Sequence, residues 1–172
     1  MPSQIVTAHY LEMHSPAELQ AKDNGDPDFQ VIECQIKQYP VNRFLYRFVG
    51  TAWQWTGKLA WTDDQWRDYA ESDHLRTWVA YKLGSPVGYY ELRWEGDRQI
   101  ELAYFGLAER FIGQGHGGYL LSHAIQSAWD WGAQRVWVHT CSLDHPHALG
   151  NYQARGFKIY RVETEEKSQV ES

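Results

Sequence analysis

Residues 113–118 read Gly-Gln-Gly-His-Gly-Gly, four glycines in six positions, between a strand-like apolar run and a helical pattern from Tyr119 onward. A glycine inside a helix costs about 1 kcal/mol relative to alanine, so the cluster weakens the helix start and must serve another purpose. Bare backbone N–H groups at the positive end of a helix dipole are the physical requirement for holding a phosphate or pyrophosphate. A turn that needs positive φ is the competing use. Gly113, Gly115 and Gly118 also satisfy G-x-G-x-x-G, but a dinucleotide site needs an acidic residue closing the next strand. That strand ends His139-Thr140-Cys141, with no carboxylate before Asp144. No G-K-[ST] follows the glycines, which removes a nucleotide P-loop. His139, Cys141, Asp144, His145 and His147 bring metal-ligating residue types within nine positions. Zinc ligands come at tighter repeated spacings, and Pro146 points to a helix start instead, so no metal is expected.

The elements that must position these residues follow from apolar periodicity. Residues 4–13 and 29–36 suit strands, separated by the turn-rich stretch 21–28. Phe44, Leu45, Phe48 and Val49 recur at helical spacing within 41–53, and Thr62-Asp63-Asp64 caps a second helix through Ala70. Residues 77–83, 87–94 and 99–107 then form an antiparallel meander with turns at 84–86 and 95–97. After the glycines, Leu120, Leu121, Ala124, Ile125, Ala128 and Trp129 make one apolar stripe, while Ser122, Gln126, Ser127 and Asp130 face away. Gly132 stops this helix, and a strand over 135–140 completes a crossover unit with parallel strands. Pro146 opens a brief helix with His145 or Asp144 at its cap, Gly156 ends it, and a strand over 157–162 precedes a charged tail from Glu163, expected to fray.

Composition excludes several classes. The formal charge of -6 lacks the clustered Lys and Arg that phosphate backbones require, so no nucleic-acid partner is expected and a cationic one is easier to accommodate. No apolar run approaches the roughly 20 residues that span a bilayer, which predicts no membrane partner. Cys34 and Cys141 are too few for a disulfide framework and fit a reducing compartment, hence a cytoplasmic protein. The length suits one domain over 1–172, with 163–172 as its tail. Trp53, Trp55, Trp61 and Trp66 crowd one stretch, which either covers an apolar face or walls a pocket.

The stretch Glu101 to Phe157 resembles the GNAT superfamily of acyl-CoA-dependent N-acyltransferases, whose signature is Q/R-x-x-G-x-G/A followed by a helix. Arg110 to Gly115 matches the letters, but Ile112-Gly-Gln-Gly-His-Gly117 fits better with the helix after it. It places Ile112 where the family prefers Gln or Arg. The motif Asn151-Tyr152-Gln-Ala-Arg-Gly156-Phe157 resembles the family's closing segment, and Glu101-Leu-Ala-Tyr-Phe-Gly-Leu107 is similar to a strand of its histone-acetylating branch. The resemblance implies an α/β fold whose mixed sheet has a splayed pair of central parallel strands. It also implies an N-acetyltransferase that uses acetyl-CoA as co-substrate and a small-molecule or peptide primary amine as acceptor, by direct attack in a ternary complex.

The resemblance further assigns roles. Backbone N–H groups of Gly113, Gln114, Gly115, His116, Gly117 and Gly118 would hold the pyrophosphate. Gly106 would mark a bulge where Phe105, Gly106 and Leu107 pair with the pantetheine arm, which His145 would also approach. Glu101 would be the general base, with His139 in reserve, and Tyr152 the proton donor to the leaving thiolate.

Overall fold

The structure, a computed structural model, describes residues 2–168. Strands β1 (Ser3–Met13), β2 (Phe29–Glu33), β3 (Leu75–Lys82), β4 (Ser85–Trp94), β5 (Gln99–Leu107), β6 (Arg135–Cys141) and β7 (Lys158–Ser168) form one seven-stranded sheet in the order β2-β3-β4-β5-β6-β1-β7. The helices are α1 (Tyr39–Gly50), α2 (Asp63–Ala70), α3 (Gly117–Asp130) and α4 (Ala148–Ala154). β5 and β6 run parallel, while the other neighbours pair antiparallel. The expected mixed α/β class and crossover unit are what the chain folds into.

Alternation within the strands divides the core. Tyr90, Leu92, Ile100, Val136 and Val138 pack with Leu120, Leu121, Ala124 and Ile125 of α3 on one face. Val79 and Tyr89 pack with Leu45 and Val49 of α1 on the other. Thr62 caps α2 as expected, its side chain accepting from Gln65 N–H while the Gln65 side chain reaches back. On α1 the helical spacing misassigns half its face. Phe44 and Phe48 stack on each other at 5.3 Å in solvent, whereas Tyr46 and Asn42 are buried. Tyr46 faces in because Trp66 and Tyr104 meet it edge-on, at 5.5 and 5.3 Å. Ser122, expected outside, is buried because its hydroxyl donates to Gly118 O and accepts from Lys22 N–H.

β2 ends at Glu33 rather than at 36 and α1 spans Tyr39–Gly50 rather than 41–53, and three further differences from expectation have local reasons. The first hairpin turns on Leu83 and Gly84, both at positive φ, so the strand resumes at Ser85 rather than Val87. Residues 163–168 are not a frayed tail: they extend β7, pairing Thr7 with Thr164 and Ile5 with Glu166. Residues 169–172 lie outside the described residues. The bulge falls at Ala103 rather than Gly106, since Glu91 pairs with Tyr104 and Leu92 with Leu102, which leaves Ala103 as the extra residue. Gly106 instead pairs with Tyr89.

β5 and β6 pair through Gln99–Arg135, Ile100–Val136 and Glu101–Trp137. Beyond that register they part, and β1 fills the far side of β6 by pairing Tyr10 with His139. The split lies between Leu102–Leu107 and Val138–Cys141. No helix among the described residues is long and apolar enough to cross a membrane.

Candidate active site

A cavity of about 1030 Å³ opens around the split. Its walls come from the end of β5, the glycine loop with the first turn of α3, α4, the segment between α1 and α2, and the far strands β1 and β7. This convergence of sequence-distant elements is what the parted strands produce, since each edge exposes backbone and side chains to one space.

Of the glycine loop, Gly113, Gly117 and Gly118 line the cavity beside Ile112. Gly113 and Gly115 stand at φ +83° and +87°, a left-handed region that a Cβ makes costly. Their φ values turn the chain into α3, whose first N–H groups lack intrahelical partners and point to the helix's positive end. Gln114 is exposed and donates to Arg110 O at 3.3 Å. The His116 side chain faces away from the cavity's lining, stacked on Phe29 with centroids 4.3 Å apart and planes at 4°, so its contribution to an anion would be its backbone N–H. Asn151 Nδ2 donates to Gly117 O at 3.2 Å and ties α4 to the start of α3.

Burial holds the His116 imidazole below the usual histidine range, with Lys82 and Lys22 adding to the effect and Asp26 opposing it. A folded value below the unfolded one of about 6.5 means that folding favours the neutral ring. The stability this gives is complete above that pH and is lost as pH falls through the lower folded value. Melting temperature is therefore expected to drop between pH 7.5 and 5.5, and His116→Phe, which keeps the stack, is expected to drop less. An unchanged difference would remove His116 from the acid response.

Phe105, Gly106 and Leu107 lie on the β5 edge of the cavity. His145 lines it too, but does not cap α4. The helix begins at Ala148 with His147 as its N-cap residue, and His145 Nδ1 accepts from His147 N–H at 3.0 Å. Pro146 thus lies in the preceding turn. Asp144 is not a cap either. Its Oδ2 accepts from Thr140 Oγ1 and Cys141 N–H, closing the turn after β6.

The candidate acid lies on the cavity, and the candidate base lies behind one of its lining residues. Tyr152 is 6% exposed and lines the cavity, with the rings of Phe105 and Phe157 at 6.1 and 6.0 Å. Burial and the nearby Asp144 carboxylate push its phenol above the ordinary tyrosine value, so it is held protonated. Glu101, 5% exposed, accepts from the Arg93 guanidinium and stands 3.7 Å from His139 Nδ1. His139 lines the cavity, half-exposed beside the Tyr10 ring at 5.5 Å, while Glu101 lies behind it outside the lining. Glu101 therefore reaches the cavity through His139.

Several lining residues carried no functional assignment from sequence. Tyr10, Ala8 and Val6 come from β1, and Glu163, Thr164, Glu165 and Lys167 from β7. Nothing local marks them, because their place depends on β1 entering between β6 and β7. The tryptophan cluster was a signal, and it divides. Trp53 and Trp55 wall the cavity, while Trp66 is core at 1% exposure. Lys58 anchors their segment, its Nζ lying 4.2, 4.8 and 5.1 Å from the rings of Trp61, Tyr69 and Tyr104.

The sequence model of the acetyltransferase (GNAT) family matches residues 42–157. An uncharacterized N-acetyltransferase of Mycobacterium tuberculosis is 35% identical over 81 residues, which cover 47% of this chain and 51% of that protein. The chain thus spans about half the length of the curated relatives it matches. Among solved structures, a GCN5-related N-acetyltransferase from Sphaerobacter thermophilus matches with TM-score 0.69 at 12% identity, over 94% of this chain and 52% of the other. An aminoglycoside acetyltransferase from an uncultured soil metagenomic sample matches with TM-score 0.62 at 14% identity, over 77% and 90%. These structures share the fold. The family match begins inside α1, so β1 and β7, which supply the far wall of the cavity, lie outside it.

Proposed function

Since this chain belongs to the GNAT family of acetyltransferases, we propose that it transfers the acetyl group of acetyl-CoA to a primary amine by direct attack in a ternary complex. The observation that carries the reading is the parting of β5 and β6 after Glu101 and Trp137, which brings the glycine loop, Tyr152 and His139 onto one cavity. The N–H groups of Gly113 to Gly118 suit the pyrophosphate. The edge of Phe105 to Leu107 that faces β6, which has no strand partner on that side although β4 pairs the other, suits the pantetheine amides and the thioester oxygen, with His145 on the same cavity. In this reading the chain acts as one catalytic domain, supported over the described residues 2–168 by the single sheet that carries both ends of the cavity. We place the reaction in the cytoplasm, where Cys34 and Cys141 stay free thiols.

The acceptor enters from the side of Tyr10 and His139. A lysine-like amine has a pKa near 10.4 and is mostly protonated at neutral pH, so His139, oriented by Glu101, takes its proton. The nitrogen lone pair then attacks the thioester carbon to give a tetrahedral intermediate, and the C–S bond breaks as the carbonyl re-forms. The thiolate receives the Tyr152 proton, and the second proton of the amine nitrogen passes through solvent to the Tyr152 phenolate, while His139 returns the first to bulk water. No covalent enzyme intermediate is needed. On the far wall Glu163, although paired with Arg161, and Glu165 outnumber Lys167, and Asp144 also lines the cavity, a balance that favours a cationic acceptor, either a small molecule or a peptide.

Acetyl-CoA is expected to raise the melting temperature, because ligand bound to the native state stabilises it by mass action. NAD and ATP are expected not to. Gly115→Val, which puts a β-branched residue at φ +87°, is expected to fold and to lose the acetyl-CoA shift. Equal shifts from all three ligands would overturn the cofactor assignment. A shift without thiol release from any amine in a broad screen would make the protein a non-catalytic acyl-CoA-binding module.

A further inference from the structure

The split between β5 and β6 is closed on the α1 side by one indole. Trp55 stands in the segment between α1 and α2, and its ring reaches both edges of the split. On β5, a Cβ added to Gly106 would meet Val49 Cγ1 at 2.7 Å and lie in ordinary contact with Trp55 Cη2 at 3.6 Å. Beyond β6, Trp55 Nε1 donates to Asp144 Oδ1 at 3.4 Å. The ring is braced on its remaining sides by Tyr104 at 5.1 Å and Tyr46 at 5.8 Å. Its seat is made by the end of α1, where a Cβ on Gly50 would stand 2.5 Å from Trp55 Cε3. Gly50 thus leaves the space that the indole fills, while Gly106 admits Val49 of α1 and brings the β5 edge into van der Waals reach of the same ring.

We propose that Trp55 sets the length of the acyl group this protein transfers, admitting acetyl and excluding longer chains. The inference rests on the acyl-transfer reading above, in which the thioester lies along the β5 edge near Tyr152. An acyl tail that continues away from the sulfur, through the split, meets the indole. A longer tail must displace a ring held by a hydrogen bond to Asp144 and by packing against Tyr46 and Tyr104. In a packed apolar pocket one added methylene changes kcat/KM by roughly 10- to 200-fold. Trp55 is in this account a specificity-determining residue and moves no proton.

The test is kcat/KM for acetyl-, propionyl-, butyryl- and hexanoyl-CoA with one responsive amine, in the wild type, Trp55→Phe and Trp55→Ala. The wild type is expected to lose at least about 10-fold from acetyl- to butyryl-CoA. Trp55→Ala is expected to narrow that ratio by a similar factor, with Trp55→Phe between. A wild type that uses hexanoyl-CoA as well as acetyl-CoA, or a ratio unchanged in Trp55→Ala, would overturn the proposal. Should Trp55→Ala not fold, Trp55→Phe and the wild-type dissociation constants for acetyl- and butyryl-CoA decide, equal constants counting against the gate. Absence of turnover with acetyl-CoA itself would overturn the acyl-transfer reading, whereas the binding series still reports on Trp55.

Discussion

Tyr152→Phe is expected to lower kcat by about 10²-fold or more, the scale of a positioned general acid, while acetyl-CoA affinity stays within a few-fold. The variant removes one oxygen from a buried ring that Phe105 and Phe157 already pack, so the fold should survive it. A phenol gives its proton to a thiolate of lower pKa only against a gradient, about 2 kcal/mol with ordinary values of 10 and 8.5. Burial and Asp144 steepen that gradient. Proton transfer must therefore be coupled to collapse of the tetrahedral intermediate, when the departing sulfur carries its largest charge. The loss is accordingly expected in kcat rather than in KM, and a smaller one with thioesters whose leaving thiol is more acidic. Unchanged turnover would remove Tyr152 from the mechanism.

The second large effect is expected at the base. His139→Ala should depress kcat/KM by roughly 10²-fold at pH 7.5 and recover in part above about pH 9, where more of the acceptor is already neutral. Glu101→Gln should follow the same pH course with a smaller loss, because the imidazole remains in the cavity without the carboxylate 3.7 Å behind it. Glutamine keeps the size and one acceptor oxygen for Arg93, which limits packing damage. A loss in Glu101→Gln that is the same at every pH would assign Glu101 to holding Arg93 and the strand end. Wild-type rates in His139→Ala would return the proton to Glu101 acting through water. The two variants separate an imidazole that touches the amine from a carboxylate that acts through it.

The candidate site was legible in proportion to how local its chemistry is. The glycine loop announces itself because six adjacent residues create it, and α3 follows with the apolar stripe expected at Leu120, Leu121, Ala124 and Ile125. Tyr152 and Glu101 were singled out through the resemblance of their segments to a family, and the structure brings Tyr152 to the cavity directly. The order of Glu101 and His139 was not legible, since alternation places two side chains on one face without saying which lies nearer the opening. Gly106 was mistaken for the bulge for a similar reason. Glycine tolerates a bulge, but here its missing Cβ serves close approach, and the extra residue opposite Glu91 and Leu92 is alanine.

By itself the sequence determined the mixed α/β class, the meander, the crossover helix with its glycine-rich start, and the family to which the central two thirds belong. All of these arise from periodicity, turn chemistry and contiguous motifs, which act within a few residues. Only the tertiary structure decided that β1 enters between β6 and β7, so that Tyr10 from one end of the chain and Glu163 from the other share a wall and a hydrogen bond of 3.2 Å. It also decided which tryptophans are core and which face the cavity, and that Trp55 reaches Asp144, 89 residues away, across the split. The physical reason is the same in each case. Strand pairing and side-chain packing between distant segments depend on the free energy of the whole sheet, and no local pattern encodes the partner.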